Sequence, residues 1–540
     1  MIDQSMPPMD RDHQSTSAQF EQVRRPLYLM ALLLFVMAGS PGCREQSQAS
    51  KAPKAAKKVL VLGAIREPDR LDPLFTSVSA TREPLGALYR DLTRYDSDWT
   101  LHPDLAAKLP KMVRTSTHGL HYRWELRPNL RWSDGRRLTT ADVRFGHNFE
   151  SNPKNKAPGQ DFASGAQITT SSSSTQFEVT WRRARLAALA PRNHAVLPEH
   201  SYGIGQTGTA TSVYSGPYVM DEWVRGQYLR LKRNVNFYGQ SPYFDEIVWR
   251  FIGNEDAMEA FLKTGEIHAI GESGGLSVEK ATALEKRLSK THAFHYTPSG
   301  VWLHLDLQLK HPGLAKQKVR KAINLAIDKT VLAKISYAGK AKPAESCFPD
   351  LHPGHRKRPL TGFDLKKATA LIKAAQLSPV EREIELKYAS ESQSALRSVT
   401  YIQAQLAKIG LNVSLKARPF RVLFADMRGG LLTGMSLYAW RSGPSWDGRS
   451  VFHTKGAQNF TGFTDPRIDV LYKQLESSAG KKAFEILGQI EERYLDLLPV
   501  IPLLFRQSAS VRSRKLLNWR PTGTQTPVTW NAEVWRWAEP

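Results

Sequence analysis

Leu120 to Val143 reads LHYRWELRPNLRWSDGRRLTTADV. Tyr122, Trp124 and Leu126 alternate with polar neighbours, the two-residue period of a strand with one buried face. Asp134-Gly135 supplies a turn, because Gly tolerates positive φ and Asp can bond its own backbone. Thr139-Thr140-Ala141-Asp142 has the form of a capping box, with Asp where Glu or Gln is usual, so a helix starts here.

The same two periods recur on both sides of this segment. Val59-Leu60-Val61-Leu62 reads as an opening strand, and Phe177 to Trp181, Tyr228 to Lys232 and Phe244 to Val248 as later ones. Met258, Phe261 and Leu262 form one face of a helix that Gly265 can end. Val319, Ala322, Ile323, Ala326 and Ile327 repeat at helical spacing. Leu396, Val399, Ile402, Leu406 and Ile409 form a further helical stripe, closed by Gly410 before a strand from Leu411 to Leu415.

At 540 residues the chain exceeds one ordinary core, so two or more lobes are expected. Hydrophobic residues make up 41 % and mean hydropathy is −0.41, as in a soluble globular body. One apolar run, Leu27 to Ala38, follows Arg24-Arg25. It is shorter than the ~20 residues of a spanning helix and suits the core of a secretory signal. Ser40-Pro41-Gly42-Cys43 then resembles a bacterial lipobox, although Ser40 stands where Leu is usual and Pro41 where Ala or Ser is usual. Acylation of Cys43 is expected; the alternative is a non-lipidated signal cleaved near the same place. The polar stretch before Val23 is unlike a signal, which points to a true start at Val23 or Met30. Residues 1–43 are thus read as signal and 44–57 as a flexible tether, rich in Ala, Ser, Gln and Lys. A lipidated Cys43 could not pair with Cys347, so no structural disulfide is expected.

Net charge is +24, from 75 Lys and Arg against 51 Asp and Glu. The charge is spread along the chain; its densest clusters, Arg182 to Arg185 and His355 to Arg358, are short and no nucleic-acid motif accompanies them. A solvated basic surface is the better reading, and no nucleic-acid partner is expected. Fifteen histidines show no H-E-x-x-H or Cys/His ligand spacing, and there is no Walker A or G-x-G-x-x-G sequence. Gly271-Glu272-Ser273-Gly274-Gly275 fits the G-x-S-x-G of a nucleophile elbow, which would make Ser273 the nucleophile of an envelope hydrolase. It lacks an upstream H-G-G-G and a surrounding βα repeat, so a Gly-rich loop is the favoured reading.

Trp132-Ser133-Asp134-Gly135 and Leu138-Thr139-x-x-Asp142-Val143 closely resemble the signature of the family 5 extracellular solute-binding proteins, the dipeptide-, oligopeptide- and nickel-binding receptors of ABC importers. The matches continue in order: Pro68-x-x-Leu71-Asp72-Pro73, Pro103-Asp104-Leu105-Ala106, Val196-Leu197-Pro198, Ser215-Gly216-Pro217-Tyr218, and Val319-Arg320 through Asp328. The resemblance implies an α/β, two-lobe periplasmic-binding-protein-like fold (type II, cluster C-like) with a hinge. Lobe I would span 58–297, lobe II 298–504, and 505–540 would return to lobe I. It implies no enzyme activity, no cofactor and no metal. The partners would be a peptide or peptide-like solute and an inner-membrane ABC permease, served by a monomeric lipoprotein held in the periplasm by its N-terminal lipid. A sugar, an opine or an anionic compound is the alternative ligand.

In peptide-binding members a Trp lies near the cleft and an Asp three residues on holds the ligand's α-amino group. Here Trp440 resembles that Trp, but Gly443 stands at the Asp position and Asp447 comes later. The Arg that binds a dipeptide's carboxylate has no counterpart in Tyr388-Ala389-Ser390-Glu391. The resemblance therefore leaves Thr76, Ser77, Trp440, Arg441, Trp446 and Asp447 as candidate ligand-binding residues, with Asp447 as a shifted amine partner.

Overall fold

The computed structural model describes residues 57–75, 79–116, 119–170, 172–182, 195–203, 211–523 and 526–539. The signal segment, Cys43, nearly all of the tether, Thr76 and Ser77 lie outside the described residues.

The strand, turn and helix read from Leu120 to Val143 are all present. The strand is Gly119–Glu125, with Tyr122, Trp124 and the following Leu126 buried. Gly135 takes φ +89°, where a side chain is disfavoured, and the Asp134 carboxylate accepts from Arg136 N at 3.0 Å. Thr139 caps the helix Thr140–Ser151: its hydroxyl accepts from Ala141 N at 3.2 Å, and Asp142 Oδ2 accepts from Thr139 N at 2.8 Å. The short Asp side chain is long enough to close the box. The strand belongs to a four-stranded antiparallel sheet with Lys111–Ser116, Gln176–Trp181 and Ala166–Thr170. Its inner face packs Trp124 on Phe177, rings stacked at 6.0 Å, over Trp132 and Trp181.

An eleven-stranded mixed sheet runs through the whole body. At one end Val59–Ala64 pairs in parallel with Glu246–Phe251 and Ala269–Ile270. At the other, Glu383–Ala389 pairs in parallel with Asn412–Arg418 and Met435–Arg441. Two long antiparallel strands, His292–Leu307 and Val500–Ser513, join the ends. The sequence pattern shows only their second-lobe parts, as a strand from Val301 and another from Leu498. Pro298-Ser299-Gly300 reads as a break in alternation. The structure instead carries one strand through it, with a register slip between Pro298 and Trp302.

Each end has its own core. Leu60, Leu62, Leu88 and Trp249 pack with Leu516, Val528 and Trp535, so one core uses both early and late residues. Leu303, Ile323, Ile402, Leu437 and Ile501 belong to the other, drawn from a single stretch of chain. A buried ion pair ties the late segment down: Arg90 Nη2 lies 2.5 Å from Glu533 Oε2, and Arg90 Nη1 donates to Trp530 O at 2.5 Å.

The helical stripes form with one correction. In Gln393–Ala407, Leu396 is exposed at 39 % and Ala395 takes its place beside Val399, Ile402 and Leu406. Residues 395, 399, 402 and 406 keep the 3–4 spacing of one face, whereas 396 is rotated about 100° off it.

Three polar side chains are buried on neighbouring strands of the second lobe. Tyr438 donates its hydroxyl to Asp306 Oδ2, and His304 Nε2 lies 3.5 Å from Asp306 Oδ1. His304 Nδ1–H donates to Trp302 O at 3.2 Å, which leaves Nε2 as the acceptor. Burial raises Asp306 to about 7 and lowers His304 to about 3, so the neutral forms are favoured.

Candidate functional site

Strand direction points to a candidate site. Met435–Arg441 runs antiparallel to His292–Leu307 and pairs Arg441 with Val301, so it ends at the register slip. Ala269–Ile270 runs antiparallel to Val500–Ser513 and points toward the same place from the other lobe. The carboxyl ends of both parallel sets therefore face the crossing point, the position where open α/β sheets hold ligands.

The strand end is tied to the slip. Ser442 donates to Gly300 O from both its backbone N, at 2.7 Å, and its hydroxyl, at 3.2 Å. Gly300 has φ +66°, and a Cβ there would lie 2.6 Å from Ser442 O. Only Gly lets the two strands approach this closely. Ser299 Oγ donates to Arg506 O at 2.8 Å on the second crossing strand. Trp99 comes in from the first lobe, buried, with its indole N–H donating to Thr522 O at 3.0 Å.

Trp440 and Arg441 are brought to this place. Trp440 is half-buried and packs its ring against Tyr438, Phe424 and Phe460, at 5.3, 5.9 and 6.1 Å. Arg441 donates from Nη1 to Ser299 O at 2.6 Å. It is exposed, yet protein surrounds it closely enough for desolvation to lower its pKa. Glu272 opposes that shift and Arg506 adds to it. That combination describes a guanidinium on the wall of a cleft.

Trp446 and Asp447 are committed elsewhere. Trp446 packs among Trp302, Phe348 and Phe452, with ring separations of 6.1, 5.5 and 5.4 Å. Its carbonyl accepts from His352 Nε2 at 2.9 Å. Asp447 Oδ1 accepts from Arg449 N at 3.0 Å, and Oδ2 lies 3.9 Å from Arg449 Nε. The Asp447 carboxylate thus caps a turn and is partly neutralised by its neighbour.

The loop Gly271 to Gly275 is not an elbow. Ser273 N donates to the buried Glu83 carboxylate at 2.7 Å, and the next helix begins only at Val278. An elbow needs a sharp strand-to-helix turn at the nucleophile. Gly271 lets the loop lie against this carboxyl, since a Cβ there would sit 2.2 Å from Glu83 Oε1.

Glu272 and Arg506 join the site without having been singled out in sequence. Glu272 accepts from Gly523 N at 2.7 Å, from Thr522 N at 3.2 Å and from the Thr297 hydroxyl. Burial raises its pKa, and these three donors and Arg441 pull it back down. A cavity of about 200 Å³ opens beside it, lined from one lobe by Glu272 and Ser277, from the other by Tyr337, Lys340 and Ser394, and by Arg506 on the crossing strand. The sequence signal for Glu272 was a charged residue two positions beyond a short parallel strand, at its carboxyl end.

Residues 100–461 match the family described as bacterial extracellular solute-binding proteins, family 5 Middle. The glutathione-binding protein GsiB of Pectobacterium atrosepticum is 24 % identical over 467 residues, covering 83 % of this chain and 88 % of that protein. The ABC transporter substrate-binding protein CtaP of Listeria monocytogenes superposes with a TM-score of 0.77 at 20 % identity, over 89 % of this chain and 100 % of that one. An oligopeptide-binding protein of Thermus thermophilus, solved with a pentapeptide, gives a TM-score of 0.67 at 22 % identity, over 89 % and 96 %. These structural likenesses share the two-lobe fold with this chain.

Proposed function

This chain belongs to the bacterial extracellular solute-binding proteins of family 5, and we propose that it captures peptides or peptide-like solutes in the cell envelope and delivers them to an ABC permease. Members of the family are binding proteins of transport systems, not enzymes. Capture would occur by closure of the two lobes about the crossing strands, hinging at 298–302 and 505–507. Lobe I would then comprise 58–297 and 505–540, and lobe II 298–504. Cys43 would carry the lipid that holds a monomeric receptor at the periplasmic membrane surface.

The observation that carries this reading is a polar cavity lined from both lobes and by Arg506 of a crossing strand, with Arg441 of the second-lobe strand end acting electrostatically on its Glu272 and Arg506. Such a site is formed by both lobes and is completed only when they meet. Backbone groups of strand ends can hold an extended ligand with little regard to its side chains. The glutathione-binding relative and the pentapeptide complex support a peptide-like ligand. Trp440 and Arg441 would line the cleft, Trp440 offering a stacking surface and Arg441 an anion fork. Thr76 and Ser77 remain proposed contacts. Trp446 would support the cleft wall from behind, and Asp447 would shape the turn beyond the strand.

A second reading has a specific observation behind it. The expected amine partner is Gly443, and Asp447 is already engaged by Arg449. A non-peptide solute on the same scaffold would not need that partner.

Native mass spectrometry of the purified protein, followed by denaturation and identification of released molecules, separates the two. Co-purifying peptides are expected. A single non-peptide mass would move the assignment to another solute class, and an empty protein would be titrated with oligopeptides and with glutathione by calorimetry.

A further inference from the structure

Two carboxylates line the cavity at the crossing strands. Glu279 has a cation close by, Arg397 Nη2 at 3.6 Å. Glu272 has none within 4 Å among the described residues. Its hydrogen-bond partners, Thr297, Thr522 and Gly523, are all neutral donors. They fix the position of the carboxylate but leave its charge without a counterion. Gly523 makes that cradle possible: it has φ +67°, and a Cβ there would lie 1.9 Å from Pro298 O. On the other side the buried Glu83 carboxyl holds the same loop by accepting from Ser273 N, and it supplies no cation either. Arg441 acts on Glu272 from beyond contact distance and spends one of its five N–H donors on Ser299 O.

A largely desolvated carboxylate held by neutral donors with no cation in contact is suited to one that arrives from outside. We propose that Glu272 receives the ammonium group of the bound solute, and that Arg441 receives its anionic end. The ligand class is a zwitterion with a free amine, of which an oligopeptide with an unblocked N-terminus is the peptide case. Amine recognition has moved to the first lobe, while the guanidinium sits at a strand end of the second. A zwitterion laid between them would hold one charge on each lobe. Its affinity is then greater for the closed arrangement than for the open one, which is the differential binding that drives closure. This proposal rests on the reading of the cavity as the solute site.

The experiment is calorimetric titration of the full chain and of Glu272→Gln with di-, tri- and penta-alanine, with the same peptides N-acetylated, and with spermidine as a non-peptide amine. Wild type is expected to bind at least one free peptide about thirtyfold or more tightly than its acetylated form, the scale for removing one partner of a buried charge pair. In Glu272→Gln that ratio should fall to about threefold or less. Glu272→Asp, which keeps the charge on a shorter stem, should recover part of it. Peptides bound equally well with and without the acetyl group overturn the assignment of Glu272 and leave the peptide receptor standing. Spermidine bound in a Glu272-dependent way, with every peptide inert, sinks the peptide reading and keeps the amine site. Wild type that binds no amine-bearing probe overturns the proposal, as does a Glu272→Gln protein that keeps the wild-type ratio. Should Glu272→Gln fail to fold, the acetylation ratio in wild type and in Glu272→Asp decides the matter.

Discussion

Replacing Asp306 with Asn should remove part of this protein's sensitivity to alkaline pH. Asp306 is buried to 3 % exposure beside His304 and Tyr438, and burial raises its pKa from 3.8 to about 7. As a neutral acid it can direct its proton at His304 Nε2 while accepting from Tyr438 on the other oxygen. Ionised, it is a buried charge with one hydroxyl donor. The folded state holds the proton to higher pH than the unfolded chain. The associated stability is therefore complete below about pH 4, falls as pH rises, and is lost above about pH 7. The full displacement corresponds to about 4 kcal/mol, of which close to 3 kcal/mol falls between pH 5 and pH 8. For a body of this length about 1 kcal/mol moves Tm by about 1 °C. Asn mimics the protonated acid, its amide facing His304 and its oxygen accepting from Tyr438. Differential scanning calorimetry at pH 5 and pH 8 should show wild type losing about 3 °C more than Asp306→Asn. Glu83, also raised to about 7 by burial, lowers stability in the same window in both proteins, so the difference between them is the readout. Melting curves of the two proteins that shift in parallel across that range would refute the reasoning.

Two further substitutions probe the frame around the site. Gly300→Ala places a Cβ 2.6 Å from Ser442 O at φ +66° and should cost about 2 kcal/mol while weakening solute binding. Gly226→Ala, at φ +72° with open space around it, should cost about 1 kcal/mol and leave binding unchanged, so equal effects on binding would contradict the role given to Gly300. Glu533→Gln leaves Arg90 buried without its closest countercharge and should lower stability by about 3 kcal/mol. Urea unfolding with an unchanged midpoint would show that Asp104 and the Trp530 carbonyl suffice for the guanidinium.

Elements with a strong local cause were legible in sequence. The capping box at Thr139, the turn at Gly135 and the alternating strand at Tyr122 each depend on residues a few positions apart. What could not be read depends on distant segments. Pro298 to Gly300 looks like a strand break until Ser442 and Arg506, from elsewhere in the chain, supply its partners. Trp440 and Arg441 entered as candidates through the resemblance to peptide-binding members, whereas Glu272 lay within a pentapeptide whose better-known association is hydrolysis. The turn in which Asp447 accepts from Arg449 N is a matter of backbone geometry that residue spacing does not show.

The division of the cores bears on how the molecule is made. One core is assembled from residues of the single stretch between Leu303 and Leu504. The other needs Leu60 and Leu62 together with Leu516, Val528 and Trp535. A chain delivered amino end first can therefore complete the contiguous lobe while the core around the opening strand, already paired with Glu246–Phe251 and Ala269–Ile270, still lacks its late apolar residues. Until Trp535 arrives, the part of that early core which Leu516, Val528 and Trp535 cover stays open to chaperone, protease or a neighbouring chain.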